Sequence, residues 1–319
     1  MALVQDVASH DPDLAAEALR GLRAYQSAPR GKVDSATGDC ARLRECGGAG
    51  RPVVLIPSII NPPHVLDLDP ALSLAAALRG SGRVLLLDWG PARHRRTLSL
   101  TGHVQELLLP LLAELTEPPL LVGYCLGGTM ALAAATEARA AAVAALAAPW
   151  HFSGYPSAGR EALASMWQQA RPAAEQLGAL PMEVLQAAFW SLDPHRMVRK
   201  YAEFARLDPR SDEARRFVRL EDWANSGEPL PLPAACELLE DLFERDLSGR
   251  GAWPAGGLPG CPTIHFTAGS DRIVPPETAA AGARVACPAG HVGMIVGRGA
   301  SRHLHQPLTE WLAARAHEG

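Results

Sequence analysis

The chain has 319 residues, 48% hydrophobic and 20% charged, enough to close one large α/β domain with an inserted subdomain. A formal net charge of −4 argues against a general binder of nucleic acid or anionic membranes. The six cysteines (Cys40, Cys46, Cys125, Cys236, Cys261, Cys287) show no CxxC pairing, which argues against a disulfide framework or a zinc site.

In chain order, the opening segment lacks the charged-then-apolar grammar of a secretion signal and reads instead as an amphipathic, mixed-charge helix within residues 1–30. Its predicted start is Asp11-Pro12, an N-cap followed by proline at the first helical position. A glycine-rich approach (47–50) leads to "VVLIP" (53–57), a strand, then the loop "SIINPPHVLDLDP" and a helix near 73–79. "RVLLLDWG" (83–90) is a second strand, followed by a helix from about 101 to 115. "PLLVGY" (119–124) is a third, running into Cys125 and a helix over 126–137. "AVAALAAP" (142–149) is a fourth strand, although its alanines suit a helix equally well. Apolar runs without alternation fit strands buried on both faces, and strand–helix alternation predicts a parallel sheet.

Between Trp150 and Pro259 this grammar stops. The region is helical, aromatic and punctuated by prolines, and it holds Trp150, Trp167, Trp190, Trp223 and Trp253. We read it as a helical cap, its tryptophans serving as packing or as the cover of an apolar acyl chain. "PTIHFTAGSD" (262–271) and "RVACPAG" (284–290) then resume the strands, and "SRHLHQPLTEWLAAR" forms a closing helix with His303 and His305 at its surface. The expected organisation is a leader over 1–50, a core over 51–150 and 260–319, and a cap over 151–259. The most apolar stretch, from Leu120, is interrupted by glycines and then by Glu137 and Arg139, so no segment supplies the ~18 apolar residues of a membrane span. A cytoplasmic protein is expected.

In an open parallel sheet, reactive groups collect at the carboxyl ends of strands. Cys125, Asp271 and His291 each follow a predicted strand there, in the order nucleophile, acid, histidine that α/β-hydrolases use. Gly-x-Cys-x-Gly suits the turn: the nucleophile sits in a strained conformation, and Gly123 and Gly127 remove side chains that would clash. The helix opening at Leu126 aims its amino end at the sulfur, which favours thiolate, and leaves the Leu126 N–H as an oxyanion donor. A second donor is expected from the loop at 58–60, with Ile59 the choice. His291 would take the Cys125 proton while Asp271 fixes its tautomer. Each has a plainer alternative: core filler for Cys125, a cap for a helix near 275–283 for Asp271, an ordinary loop histidine for His291. The three together, in order and at strand ends, favour catalysis. Asp88 reads as a turn residue, Cys261 and Cys287 as core, and Arg272 as solvated surface. No metal or cofactor is called for.

"PSIINPPHVLDLDPALSL", "VLLLDWG", "GYCLGGT", "LEDWANSGEPL", "SDRIVPP" and "GHVGMIVG" resemble, in order, the successive blocks of polyhydroxyalkanoate synthases, from Val53 to the last helix. The resemblance implies an α/β-hydrolase fold and a cysteine acyltransferase that polymerises 3-hydroxyacyl-CoA thioesters into an intracellular polyester. By matching block it makes Cys125 the nucleophile, His291 the base and Asp271 its partner. It implies acyl-CoA as substrate, a granule surface as location, and a second synthase subunit or a second copy as partner. Two departures stand out: Arg272 occupies the place where the family commonly has histidine, and only about fifty residues precede the first expected strand. The short approach is similar to that of the shorter synthase subunits. Both departures keep open a cysteine-dependent thioesterase or esterase, or an inactive granule-associated relative.

Overall fold

A computed structural model describes residues 10–30 and 39–315; residues 1–9 of the expected leader helix lie outside that range. The chain forms two compact units, one built from the amino-terminal segment with residues 183–226, the other from residues 37–182 and 227–319.

The larger unit carries a seven-stranded sheet, with β1 (Arg42–Gly47), β2 (Pro52–Ile56), β3 (Arg83–Asp88), β4 (Leu120–Tyr124) and β5 (Ala142–Leu146) in chain order. Two short strands, β6 (Ala179–Leu180) and β7 (Leu230–Pro231), pair with each other apart from it. The main sheet is completed by β8 (Thr263–Ala268) and β9 (Ala283–Cys287), and its spatial order is β1-β3-β2-β4-β5-β8-β9. All pairings in this sheet are parallel except that of β1 with β3. Every residue of β2, β4 and β5 is buried, as strands covered on both faces require. The strands that follow β2 and β4 lie on opposite sides of that pair, so the switch point falls between them, Ile56 beside Gly123.

The charged strand β1 corrects the expectation that the core starts near residue 51. Arg42, Arg44 and Glu45 hide it from a reading based on apolar runs, yet an antiparallel edge strand tolerates such charges because one edge and face meet water. The alanine-rich β5 is a strand, held in register between β4 and β8. No helix follows Pro275; a short 3₁₀ turn, Pro276–Thr278, takes its place. The closing helix begins with a π turn, Ser301–His305, which rotates His305 inward to 5% exposure with Nε2 against the Ile295 carbonyl at 2.9 Å. His305 is therefore not a surface histidine.

The region expected to be one cap is divided. The Ser157–Leu177 helix and residues 227–259 belong to the larger unit, where the Trp167 indole donates to Glu240 at 2.8 Å and the Trp253 indole to Glu237 at 2.6 Å. Trp150, Trp167, Trp223 and Trp253 are buried packing residues, while Trp190 is partly exposed.

The smaller unit joins the Pro12–Ser27 helix to those at Met182–Ser191, Pro194–Phe204 and Asp212–Ala224. Asp11 caps the first helix by accepting from the Leu14 N–H at 2.9 Å. Its apolar face, Ala15 and Ala18, meets Val198 and Ala202. An expected leader over 1–50 is thus replaced by a helix that buries its stripe on a segment more than 170 positions away.

Candidate active site

β4 delivers Cys125 at the switch point with φ 56° and ψ −131°, a left-handed conformation that a non-glycine residue adopts only when its surroundings hold it there. The Cys125 N–H donates to Leu146 O at 2.9 Å, fixing the turn to β5. A Cβ on Gly123 would lie 2.4 Å from Gly128 Cα, one on Gly127 2.2 Å from Ile56 O, and one on Gly128 2.4 Å from the Ala148 Cβ. Each glycine of Gly-Tyr-Cys-Leu-Gly-Gly is therefore needed where strand and helix close. The Leu126–Ala134 helix starts directly after the thiol, so the Leu126 backbone lies at its amino end and the thiol itself is half-buried.

Asp271 follows β8 with its side chain fully buried. Its Oδ1 accepts the Ile273 and Val274 N–H groups at 2.8 and 2.9 Å, and its Oδ2 meets His291 Nδ1 at 2.7 Å. The aspartate thus organises its own loop, not a helix, and keeps one oxygen for the imidazole. That bond assigns the Nδ1 proton and leaves Nε2 without one, and Cys125 lies close enough to act on the titration of the ring. Tyr124 stacks on the His291 ring at 5.0 Å and donates its hydroxyl to the His291 carbonyl at 3.3 Å. Burial alone would lower the His291 pKa. The charge of Cys125 as thiolate, the hydrogen bonds to Asp271 and Cys125, and the charge of Asp271 outweigh it and raise the value to about 10.

Ile59 lies buried in the loop after β2, its carbonyl accepting from Arg95 at 3.4 Å. Asp88 holds a turn, accepting from the Gly90 N–H at 3.0 Å. Arg272 is exposed, Cys287 is core and Cys261 is half-buried. Among the described residues, no cluster of three or more His, Cys, Asp or Glu could hold a metal, and no helix is long and apolar enough to cross a membrane.

Sequence reasoning passed over Tyr155. Burial first, then the charges of Cys125 and Asp271, push its hydroxyl pKa well up, and its ring joins Phe152 at 5.9 Å and Phe243 at 4.8 Å. "HFSGYP" carries no motif, and only the fold brings it toward the thiol.

Residues 41–313 match the family described as the Alpha/beta hydrolase family. The chain belongs to the alpha/beta hydrolase family. Within that family it is similar to the poly(3-hydroxyalkanoate) polymerase subunit PhaC of Allochromatium vinosum, with 24% identity over 83% of this chain and 81% of that protein. The PhaC subunit of Haloferax mediterranei is 23% identical over 84% of this chain and 60% of its own length. A monoacylglycerol lipase from Paleococcus ferrophilus shares the fold with a TM-score of 0.53 at 18% identity, over 86% of this chain and 99% of that one. Family members of this kind perform acyl transfer with a nucleophile on the elbow, a histidine and an acid. This chain has a thiol at the turn after β4 and an imidazole paired with a carboxylate from the later loops.

Proposed function

We propose that the protein is a cysteine acyltransferase that polymerises 3-hydroxyacyl-CoA into a polyhydroxyalkanoate. The observation that carries this reading is Cys125 at the glycine-framed elbow, acting on the titration of a His291 that Asp271 holds by Nδ1. The Cys125 thiolate attacks the acyl-CoA carbonyl, and the resulting oxyanion is met by the N–H groups of Leu126 and Ile59. The C–S bond to CoA breaks, and the departing thiolate takes the His291 proton. The acyl chain is now a thioester on Cys125. One thioester has replaced another, so the acyl group stays activated for attack by the 3-hydroxyl of the next unit. His291 accepts that hydroxyl proton as the ester forms and the Cys125 thiolate is released.

A serine ester would stand nearly level with the polyester product and would lose that drop in free energy, which accounts for a thiol at this elbow. Growth also requires that water be kept from the acyl enzyme. The layer of Phe152, Tyr155 and Phe243 supports this. The same reading places the protein in the cytoplasm at a polyester surface, alongside a second synthase subunit or a second copy.

The test is to incubate the purified protein with 3-hydroxybutyryl-CoA. Free CoA together with insoluble polyester, and an acyl adduct by mass on Cys125, is the expected result. CoA with only soluble hydroxy acid would make the protein a thioesterase, and Cys125→Ala that still released CoA would overturn the cysteine mechanism altogether.

A further inference from the structure

The loop at residues 57–60 follows β2 at the switch point, and the carbonyls of Pro57, Ile59 and Ile60 are each held. The Trp89 indole N–H donates to Pro57 O at 3.0 Å, Arg95 Nη2 to Ile59 O at 3.4 Å, and the Glu228 N–H to Ile60 O at 3.2 Å. A trans peptide is planar, with its carbonyl and the next N–H pointing opposite ways. Fixing Pro57 O and Ile59 O therefore fixes the peptide planes on both sides of the Ser58–Ile59 peptide, the one that carries the Ile59 N–H.

Arg95 is itself held on every side. Only 5% exposed, it donates Nε–H to Gly90 O at 3.0 Å, places Nη1 3.1 Å from His103 Nε2, and keeps Nη2 3.5 Å from Glu228 Oε2. His103 is fully buried, with Nδ1 2.6 Å from Ser99 O, so Nδ1 carries the proton and Nε2 offers a lone pair to the guanidinium. Burial lowers the His103 pKa to about 4, which keeps the ring a neutral acceptor. Glu228 Oε2 also accepts the Ala92 N–H at 2.7 Å. Arg95 and Glu228 thus lock each other, and each grips one carbonyl of the loop.

We infer that Arg95 is a positioning residue for acyl transfer: by gripping Ile59 O, with Glu228 as its counter-ion, it presets the loop whose N–H groups receive the oxyanion. The inference rests on the acyltransfer reading above and adds to it the group that shapes the oxyanion site. Arg95 touches no reacting atom. Its effect should appear wherever a tetrahedral oxyanion forms and nowhere else.

Two reactions of the same sulfur separate these cases. Alkylation of Cys125 by iodoacetamide displaces iodide at a saturated carbon and forms no oxyanion, whereas acylation by 3-hydroxybutyryl-CoA does. In Arg95→Met, acylation followed by rapid-quench mass measurement should slow by about 10- to 100-fold, in the maximal rate and not in KM. Alkylation should stay within about two-fold of wild type, because the Cys125–His291 pair is untouched. Arg95→Lys should recover part of the acylation rate. Glu228→Gln, which keeps the backbone N–H on Ile60 O, should show a smaller loss of the same kind, and it serves as the test if Arg95→Met does not fold. Parallel loss of both reactions, or loss of neither, overturns the inference. If wild type gives no adduct with the CoA ester but does with p-nitrophenyl acetate, the substrate assignment fails and the Arg95 comparison is made with that ester. No adduct with either would end both.

Discussion

A Cβ on Gly127 would lie 2.2 Å from the Ile56 carbonyl oxygen, and a Cβ on Gly21, in the helical unit, would lie 1.8 Å from that of Tyr201. The steric problem is the same, but the surroundings are not. Ile56 ends a strand flanked by β3 and β4, and the Gly127 helix is tied to the same sheet through Cys125 and Leu146, so neither backbone can retreat. The Gly21 contact is between two helices whose shared face is mostly alanine, with Ala15 and Ala18 against Val198 and Ala202. Two helices in backbone contact can part as separate bodies at the cost of their shared packing, while a hydrogen-bonded ladder moves only as a unit. The sheet end is rigid because its backbones are hydrogen-bonded in register; the helical unit is held by helix packing.

The largest effect should come from breaking the rigid side at its Asp271–His291 pair. Asp271→Asn removes both a hydrogen bond and a charge that raise the His291 pKa, leaving burial, which lowers it, less opposed. The imidazole titration midpoint, read by NMR, should therefore move down, and acyl transfer should fall by about 10²- to 10⁴-fold through loss of the correct tautomer. An unchanged midpoint with unchanged turnover would remove Asp271 from the mechanism.

The two glycines sharpen the comparison next. Gly127→Ala should destabilise the larger unit by about 3 kcal/mol or prevent folding, since no flexible group can yield. Gly21→Ala should cost less, about 2 kcal/mol, because the two helices can part as units, although by more than an ångström at a backbone contact, and alanine recovers about 1 kcal/mol of helix propensity. Equal losses in denaturant titrations of the two variants would mean the helical contact is as unyielding as the sheet.

The same contrast decides what the sequence made legible. Backbone constraints leave marks on single residues: the glycines at 123 and 127 around Cys125, Asp11 before Pro12, the apolar runs of β2 and β4. Those were readable, and with them the fold and the pairing of Asp271 with His291. Features made by distant side chains were not. β1 is charged because it is an edge; His305 is buried because a π turn rotates it; Arg95 is buried because Glu228, 133 positions later, neutralises it. The joining of the leader helix to residues 194–204 depends on a match of alanine faces that no local pattern announces.

The smallest effect tests how far those distant pairs hold the helical unit. The Tyr25 hydroxyl donates to Asp222 at 2.6 Å, Arg30 lies 3.2 Å from the same carboxylate, and the Tyr25 ring packs against Tyr201 and Phe217 at 6.0 and 6.5 Å. Tyr25→Phe keeps the ring contacts and deletes the hydroxyl's bond to Asp222 and the longer one it accepts from Asn225 at 3.5 Å, and Asp222, partly exposed, can turn to Arg30 or water in its place. The loss should be about 0.5–1 kcal/mol by denaturant titration. Tyr25→Ala should cost several times more, because it removes the aromatic packing as well. If the two variants were equally destabilised, the hydroxyl and not the ring would be the fastening, and this region would depend on a directional bond as the elbow does.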